Sequence, residues 1–90
     1  MLFEWDEGKR QHNLRKHGID FFDAQKIWSG TVLEYSSDQM HHDEDRYLAI
    51  GEFDGDCITV IFTWRGSTRR LISARKARHY EQKDYQDETG

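Results

Sequence analysis

Polar residues dominate the first third of the chain, and apolar residues recur there at helical spacing. Residues 7–17 (EGKRQHNLRKH) contain one apolar residue, Leu14. Asp6 stands before them as a helix N-cap and Gly18 after them as a left-handed terminator, which predicts a helix over 7–17. A helix polar nearly all round needs a partner or a solvent-bridging role. Asp20 caps a second predicted helix, about 21–29. Phe21, Ala24 and Trp28 fall at i, i+3 and i+7 there, and Ile27 widens the stripe, so this helix faces the core.

The period then changes to that of strands. LFEW (2–5) reads as a short strand or extended entry, and TVLEY (31–35) as a strand followed by the polar loop SSDQMHHDED. RYLAIGEF and CITVIFTW flank Asp54-Gly55-Asp56, and Asp-Gly between two β-rich runs predicts a hairpin. CITVIFTW is β-branched and aromatic throughout, as a central strand buried on both faces requires. Gly66-Ser67 supplies a second tight turn, and TRRLISAR closes a three-stranded antiparallel meander. Residues 78–88 (RHYEQKDYQDE) predict a marginal last helix. Its apolar content is Tyr80 and Tyr85, and acids crowd its C-terminal end against the helix dipole, so its tyrosines or a partner chain must dock it.

Ninety residues make one domain. With 36% hydrophobic residues the core is thin, but 13% aromatics fill a thin core well. No apolar run approaches a membrane span, and the acidic opening MLFEWDEGKR lacks the apolar stretch of a signal peptide. A single cysteine, Cys57, excludes an intramolecular disulfide. These features lead to a cytoplasmic expectation.

The net charge of −4 hides a strong polarity. Residues 9–16 hold four bases and residues 65–78 six, with no acid in either run, while 31–64 hold eight acids against Arg46 alone. Such a chain can present a basic, anion-binding face despite its negative total. Lys9, Asn13, Lys16 and His17 follow i, i+4, i+7 and i+8, one polar stripe suited to an RNA backbone or to a protein partner. His41, His42, Asp43 and Cys57 show no recognised metal-ligand spacing, so no metal is expected.

Three segments resemble one family. WDEGKRQHNLRKHGIDFFDA is similar to the opening signature of BrnT toxins through Trp5, Asp6, Lys9, Asn13, Lys16, His17, Gly18, Ile19, Phe21 or Phe22, and Ala24. DEDRYLAIG resembles its acid-Arg-aromatic strand through Glu44, Arg46, Tyr47, Ile50 and Gly51. RRLISARKARHYEQKDY resembles its closing segment through Ile72, Ser73, Ala74, Arg75, Ala77, Glu81 and Tyr85. The resemblance implies an α+β fold similar to RelE-type toxins, with two N-terminal helices, an antiparallel sheet of three to four strands and a C-terminal helix. It implies RNA cleavage without metal or organic cofactor, and a BrnA-type antitoxin that carries the operator-DNA-binding part of a hetero-oligomer.

Metal-free RNA cleavage needs a base for the 2′-hydroxyl, a cation on the phosphate and an acid for the leaving oxygen. Arg75 is the expected phosphate clamp, its forked guanidinium suiting bidentate contact; the alternative is a salt bridge to Glu81. His17 is the expected acid or base; the alternative is a residue that complements its helix end. Glu81 is either a base or an arginine partner, with pairing favoured. Lys9, Asn13, Lys16, Arg46, Arg70, Lys76 and Tyr85 complete the expected RNA-contact set. Two non-catalytic readings compete: a module that grips its antitoxin and tunes repression, and a plain nucleic-acid-binding domain.

Overall fold

The computed structural model describes residues 1–37 and 44–90. Met40, His41, His42 and Asp43 lie outside the described residues. Strand β1 (Leu2–Trp5) leads into helix α1 (Glu7–His17), then α2 (Phe21–Ala24), which tightens into a 3-10 turn over Gln25–Ser29. Strands β2 (Leu33–Ser36), β3 (Tyr47–Phe53), β4 (Asp56–Arg65) and β5 (Thr68–Lys76) follow, and helix α3 (His79–Thr89) ends the chain.

Both predicted N-caps form. The Asp6 carboxylate accepts from the Lys9 amide at 2.9 Å, and the Asp20 carboxylate from the Phe22 amide at 3.0 Å. Gly18, at φ 72°, stops α1 in the left-handed conformation that glycine alone adopts without a Cβ penalty. Asp20 is also gripped by both forks of Arg10, at 2.8 and 2.9 Å, which ties α1 to the start of α2.

The strands form one mixed five-stranded sheet in the order β1-β5-β4-β3-β2. The meander β3-β4-β5 is antiparallel as expected, and β4 occupies the predicted central place. Asp54 (φ 53°) and Gly55 (φ 83°) build the tight hairpin between β3 and β4, both in the positive-φ region that a two-residue type I′ loop demands. The expectation of a purely antiparallel sheet of three to four strands is corrected at its edge. Segment 2–5 is a true strand, and it runs parallel to β5, pairing Leu2 with Thr68 through Trp5 with Leu71. Parallel pairing needs a long crossover, and here the whole of α1 to β4 intervenes.

The register of β5 holds a second departure. Ile61 pairs with Ser73 but Phe62 with Leu71, so Ile72 is an extra residue, a β-bulge. Simple alternation puts Leu71 on the face of Ser73 and Arg75, and Ile72 on that of Ala74. The bulge shifts that phase by one residue. Leu71 and Ala74 share the main core with Phe21, Ile27, Val60 and Phe62, beneath α2. Ser73 and Arg75 occupy the opposite face, where α3 docks.

On that opposite face Ile50, Ala77 and Tyr85 form a smaller core. Tyr85 is buried, and its hydroxyl donates to the Thr31 carbonyl at 2.9 Å. Of the two tyrosines expected to dock α3, Tyr85 does so; Tyr80 stays exposed, and the buried Glu81 one turn before Tyr85 completes the anchor. No helix among the described residues is long and apolar enough to cross a membrane.

Candidate functional site

Helix α1 lies beside β5 where β1 no longer covers that strand's edge. β1 stops opposite Leu71. Beyond it, the Asn13 side chain takes the place of a neighbouring strand. Its Nδ2 donates to the Ala74 carbonyl at 2.9 Å and its Oδ1 accepts from the Ala74 amide at 3.0 Å. Nδ2 also donates to the Ile19 carbonyl at 2.8 Å. Asn13, expected on the sequence as an RNA contact, is 4% exposed and staples α1 against the sheet.

That staple opens a cleft of about 450 Å³ between α1 and the sheet face. Lys9, His12, Lys16 and His17 line it from α1, Ile72 and Ser73 from β5, and Arg46 from the approach to β3. The bulge explains why two successive β5 residues reach it. Arg46 is fixed through its backbone: its carbonyl accepts from the Ser37 amide at 2.8 Å, and the preceding Asp45 carbonyl accepts from the Thr63 hydroxyl at 2.7 Å. Its guanidinium pairs with Glu44 at 3.6 Å, while its buried Nε has no hydrogen-bond partner among the described residues.

Arg75 follows Ser73 by two on the same face of β5, opposite Thr59. It makes the bidentate pair foreseen as the alternative to a free clamp. Nη1 meets Glu81 Oε1 at 2.7 Å and Nη2 meets Oε2 at 3.1 Å. Glu81 is fully buried, and Oε1 also accepts from the Arg78 amide at 2.7 Å and the Thr59 hydroxyl at 3.1 Å. Burial pushes the Glu81 carboxyl up, but the Arg75 guanidinium, the Arg78 amide and the Thr59 hydroxyl together outweigh it. The carboxyl stays below its ordinary range and ionised. Glu81 thus makes the arginine pair, and its carboxylate is shared among Arg75, Arg78 and Thr59. Arg75 keeps 16% of its side chain exposed.

His17 sits at the end of α1, half-buried, lining both this cleft and a hollow of about 170 Å³ with Asp20, Asp54 and Lys76. Burial lowers its pKa, and the positive charges of Lys16 and Arg75 lower it further, as does His12. The imidazole is therefore neutral at pH 7 and within electrostatic reach of Arg75.

Lys9, Lys16 and His17 of the α1 stripe thus border one cleft, and Arg46 joins them from outside the stripe. The remaining expected contacts do not join them. Arg70 is paired with Glu4 at 2.6 Å, toward the β1 side. Lys76 belongs to the second hollow. Tyr85 is buried on the inner face of α3 with Ile50 and Ala77, away from the cleft. Several cleft residues escaped the sequence reading as site residues, His12 and Ile72 among them. His12 lies three residues after Lys9, a helical spacing that was visible; Ile72 depends on the bulge, which alternation does not announce.

Residues 5–81 match the family described as ribonuclease toxin, BrnT, of type II toxin-antitoxin systems. No curated protein matches the chain. The match runs from the end of β1 through β5 into the first turn of α3 and takes in the whole cleft, including Lys9, His17, Arg46, Arg75 and Glu81, and the chain belongs to the BrnT family of ribonuclease toxins.

Proposed function

We propose that this chain is an endoribonuclease that cuts RNA without a metal ion, arrests translation and growth, and is neutralised by a BrnA-type antitoxin in the cytoplasm. The observation that carries the reading is one cleft bordered by Lys9, Lys16, Arg46 and a neutral His17, with Arg75 held beside it by a buried carboxylate.

In this mechanism the RNA backbone lies along the α1 stripe and Arg46, where positive charge offsets the phosphates. His17, neutral at pH 7, takes the 2′-hydroxyl proton. The 2′-oxygen attacks phosphorus, the bond to the 5′-oxygen breaks, and that oxygen takes a proton from Lys9, His12 or Lys16. The products are a 2′,3′-cyclic phosphate and a 5′-hydroxyl. Arg75 stabilises the extra negative charge of the transition state, and Glu81 orients it. Arg70 and Lys76 are peripheral RNA contacts. The family's type II class implies a protein antitoxin; in the proposal it is BrnA-like, covers the cleft and carries the operator-binding part of the complex.

The test is RNA cleavage by Arg75→Lys beside its thermal melt. The variant keeps the charge and loses the fork, so cleavage falls about a hundredfold while folding survives. Near-normal cleavage removes Arg75 from the reaction. Expression that slows no growth and degrades no RNA supports the antitoxin-binding module instead.

A further inference from the structure

Two aromatic rings on the Arg75 side of the sheet stay partly open to solvent. Tyr35 on β2 is 37% exposed and Tyr80 in the first turn of α3 is 55% exposed. The aromatic pairs of the fold join Phe3, Trp5, Phe21, Trp28, Tyr47, Phe62 and Trp64 in and around the main core. Neither Tyr35 nor Tyr80 stacks on another ring among the described residues.

Their placement follows from the sheet. Leu33 packs with Ile50 and Tyr85 under α3, and Tyr35 follows it by two, so Tyr35 shares that face. Tyr80 directly precedes Glu81, which holds Arg75 from the same side. Across the sheet Tyr35 stands in register with Leu48, Ile61 and Ser73, and Ser73 is two residues from Arg75 on the same face. Burial first, then Glu81, Tyr80 and Asp84, raise the Tyr35 pKa against the opposing charge of Arg75, while the Glu81 hydrogen bond first, and Tyr80 and Tyr35 last, raise that of Arg75. The phenol of Tyr35 is therefore neutral at pH 7 and able to donate.

The charge here differs from that of the α1 cleft. Glu81 is matched by Arg75, and Asp84 adds a negative charge near Tyr35. A second phosphate is disfavoured at this point, whereas a neutral flat group is not. Exposed tyrosines suit such a group, since every nucleobase has a π-face and unpaired RNA bases stack on aromatic side chains.

We propose that Tyr35 and Tyr80 form a stacking subsite for an unpaired nucleobase next to the phosphate that Arg75 holds. The inference rests on the ribonuclease reading above and extends it to single-stranded substrate. The subsite lies across Arg75 from the α1 stripe, so the chain reads phosphates on one side of the cut and a base on the other.

The probes are 2′-O-methyl hexanucleotides, which cannot be cleaved, with bases throughout or with abasic sugars throughout. The wild-type chain is expected to bind the base-bearing strand about tenfold more tightly. Tyr35→Leu with Tyr80→Leu removes most of that difference and leaves abasic binding unchanged, while Tyr35→Phe with Tyr80→Phe keeps it. Arg75→Lys weakens both strands alike. Equal binding of both strands by the Leu variant and the wild type overturns the proposal. So does a Leu variant, folded by its melt, that loses antitoxin affinity and no RNA affinity, because the rings then belong to a protein interface. If Arg75→Lys cleaves RNA normally, the ribonuclease reading of Arg75 fails separately, whatever the tyrosines do.

Discussion

Asn13 and Ala74, 61 residues apart, are joined as two strands are joined: the Asn13 amide makes both backbone hydrogen bonds of Ala74. Asn13→Ala leaves a buried donor and a buried acceptor without partners. An unsatisfied buried group costs about 1–3 kcal/mol, so the variant is expected to lose roughly 2–6 kcal/mol. Its Tm falls by more than ~10 °C for a domain of this size. Cleavage by the folded fraction falls too, because α1 loses its register on β5. A melt within a few degrees of wild type contradicts the staple.

The Glu81 carboxylate ties stability to acid. Its folded pKa lies below the unfolded one, so its contribution is complete above about pH 4.5. It is lost as pH falls from there through the folded value. Asp20, held down by Arg10 and the Phe22 amide, titrates in the same direction. Glu81→Gln is expected to cost about 3–5 kcal/mol at pH 7, since Arg75 then faces a neutral partner. Its stability changes less between about pH 5 and pH 3 than the wild type's does. Parallel acid profiles for the two proteins argue against the pairing.

Much of this was legible in the residues. Capping asparates at 6 and 20, glycine at 18 and Asp54-Gly55 act locally, so their elements appeared where the sequence put them. The stripe Lys9, Lys16, His17 was legible because helical spacing alone decides which residues share a face. Asn13 belongs to the same stripe by spacing, yet its role depends on how far β1 extends, a long-range fact. The parallel pairing of β1 and the bulge at Ile72 are likewise choices of register, which no local pattern records. Glu81 and Tyr85 are polar by composition and buried in fact, so α3 looked weaker than it is.

Gly51 lies where β3 passes the 3-10 turn. A Cβ there meets the Ile27 Cβ at 2.8 Å, closer than real Cβ contacts come. Ile27 is fully buried and cannot swing away. Gly51→Ala is therefore expected to destabilise by about 1–3 kcal/mol through overpacking, measured by denaturant unfolding. Gly51→Ala with Ile27→Val does not relieve the clash, because valine keeps the Cβ.

The cleft predicts how salt acts. Lys9, Lys16 and Arg46 border it, and each phosphate they neutralise releases counterions. Affinity for single-stranded RNA should fall linearly on a log–log plot against salt. Lys16→Ala lowers the slope by about 0.7, the value for one contact on a single strand. A flat salt response removes the basic cleft as the RNA site.

The final prediction concerns His17 as a base. Burial is the largest cause of its lowered pKa, followed by Lys16 and Arg75. The neutral, proton-accepting form therefore predominates at pH 7, and kcat/KM should rise with pH through an apparent pKa below 6.5 and then level. His17→Gln removes that acidic limb and lowers the rate about 10²–10⁴-fold, the range for one general base. Lys16→Ala should move the limb to higher pH, because a repelling charge is gone. The movement stays a fraction of the whole shift, because burial is the larger cause and is unchanged. An NMR titration of the His17 ring follows the same pKa without relying on activity. If the ring titrates below 6.5 while kcat/KM shows no acidic limb, His17 is buried and neutral but moves no proton. The base is then to be sought at His12, the other imidazole of the cleft.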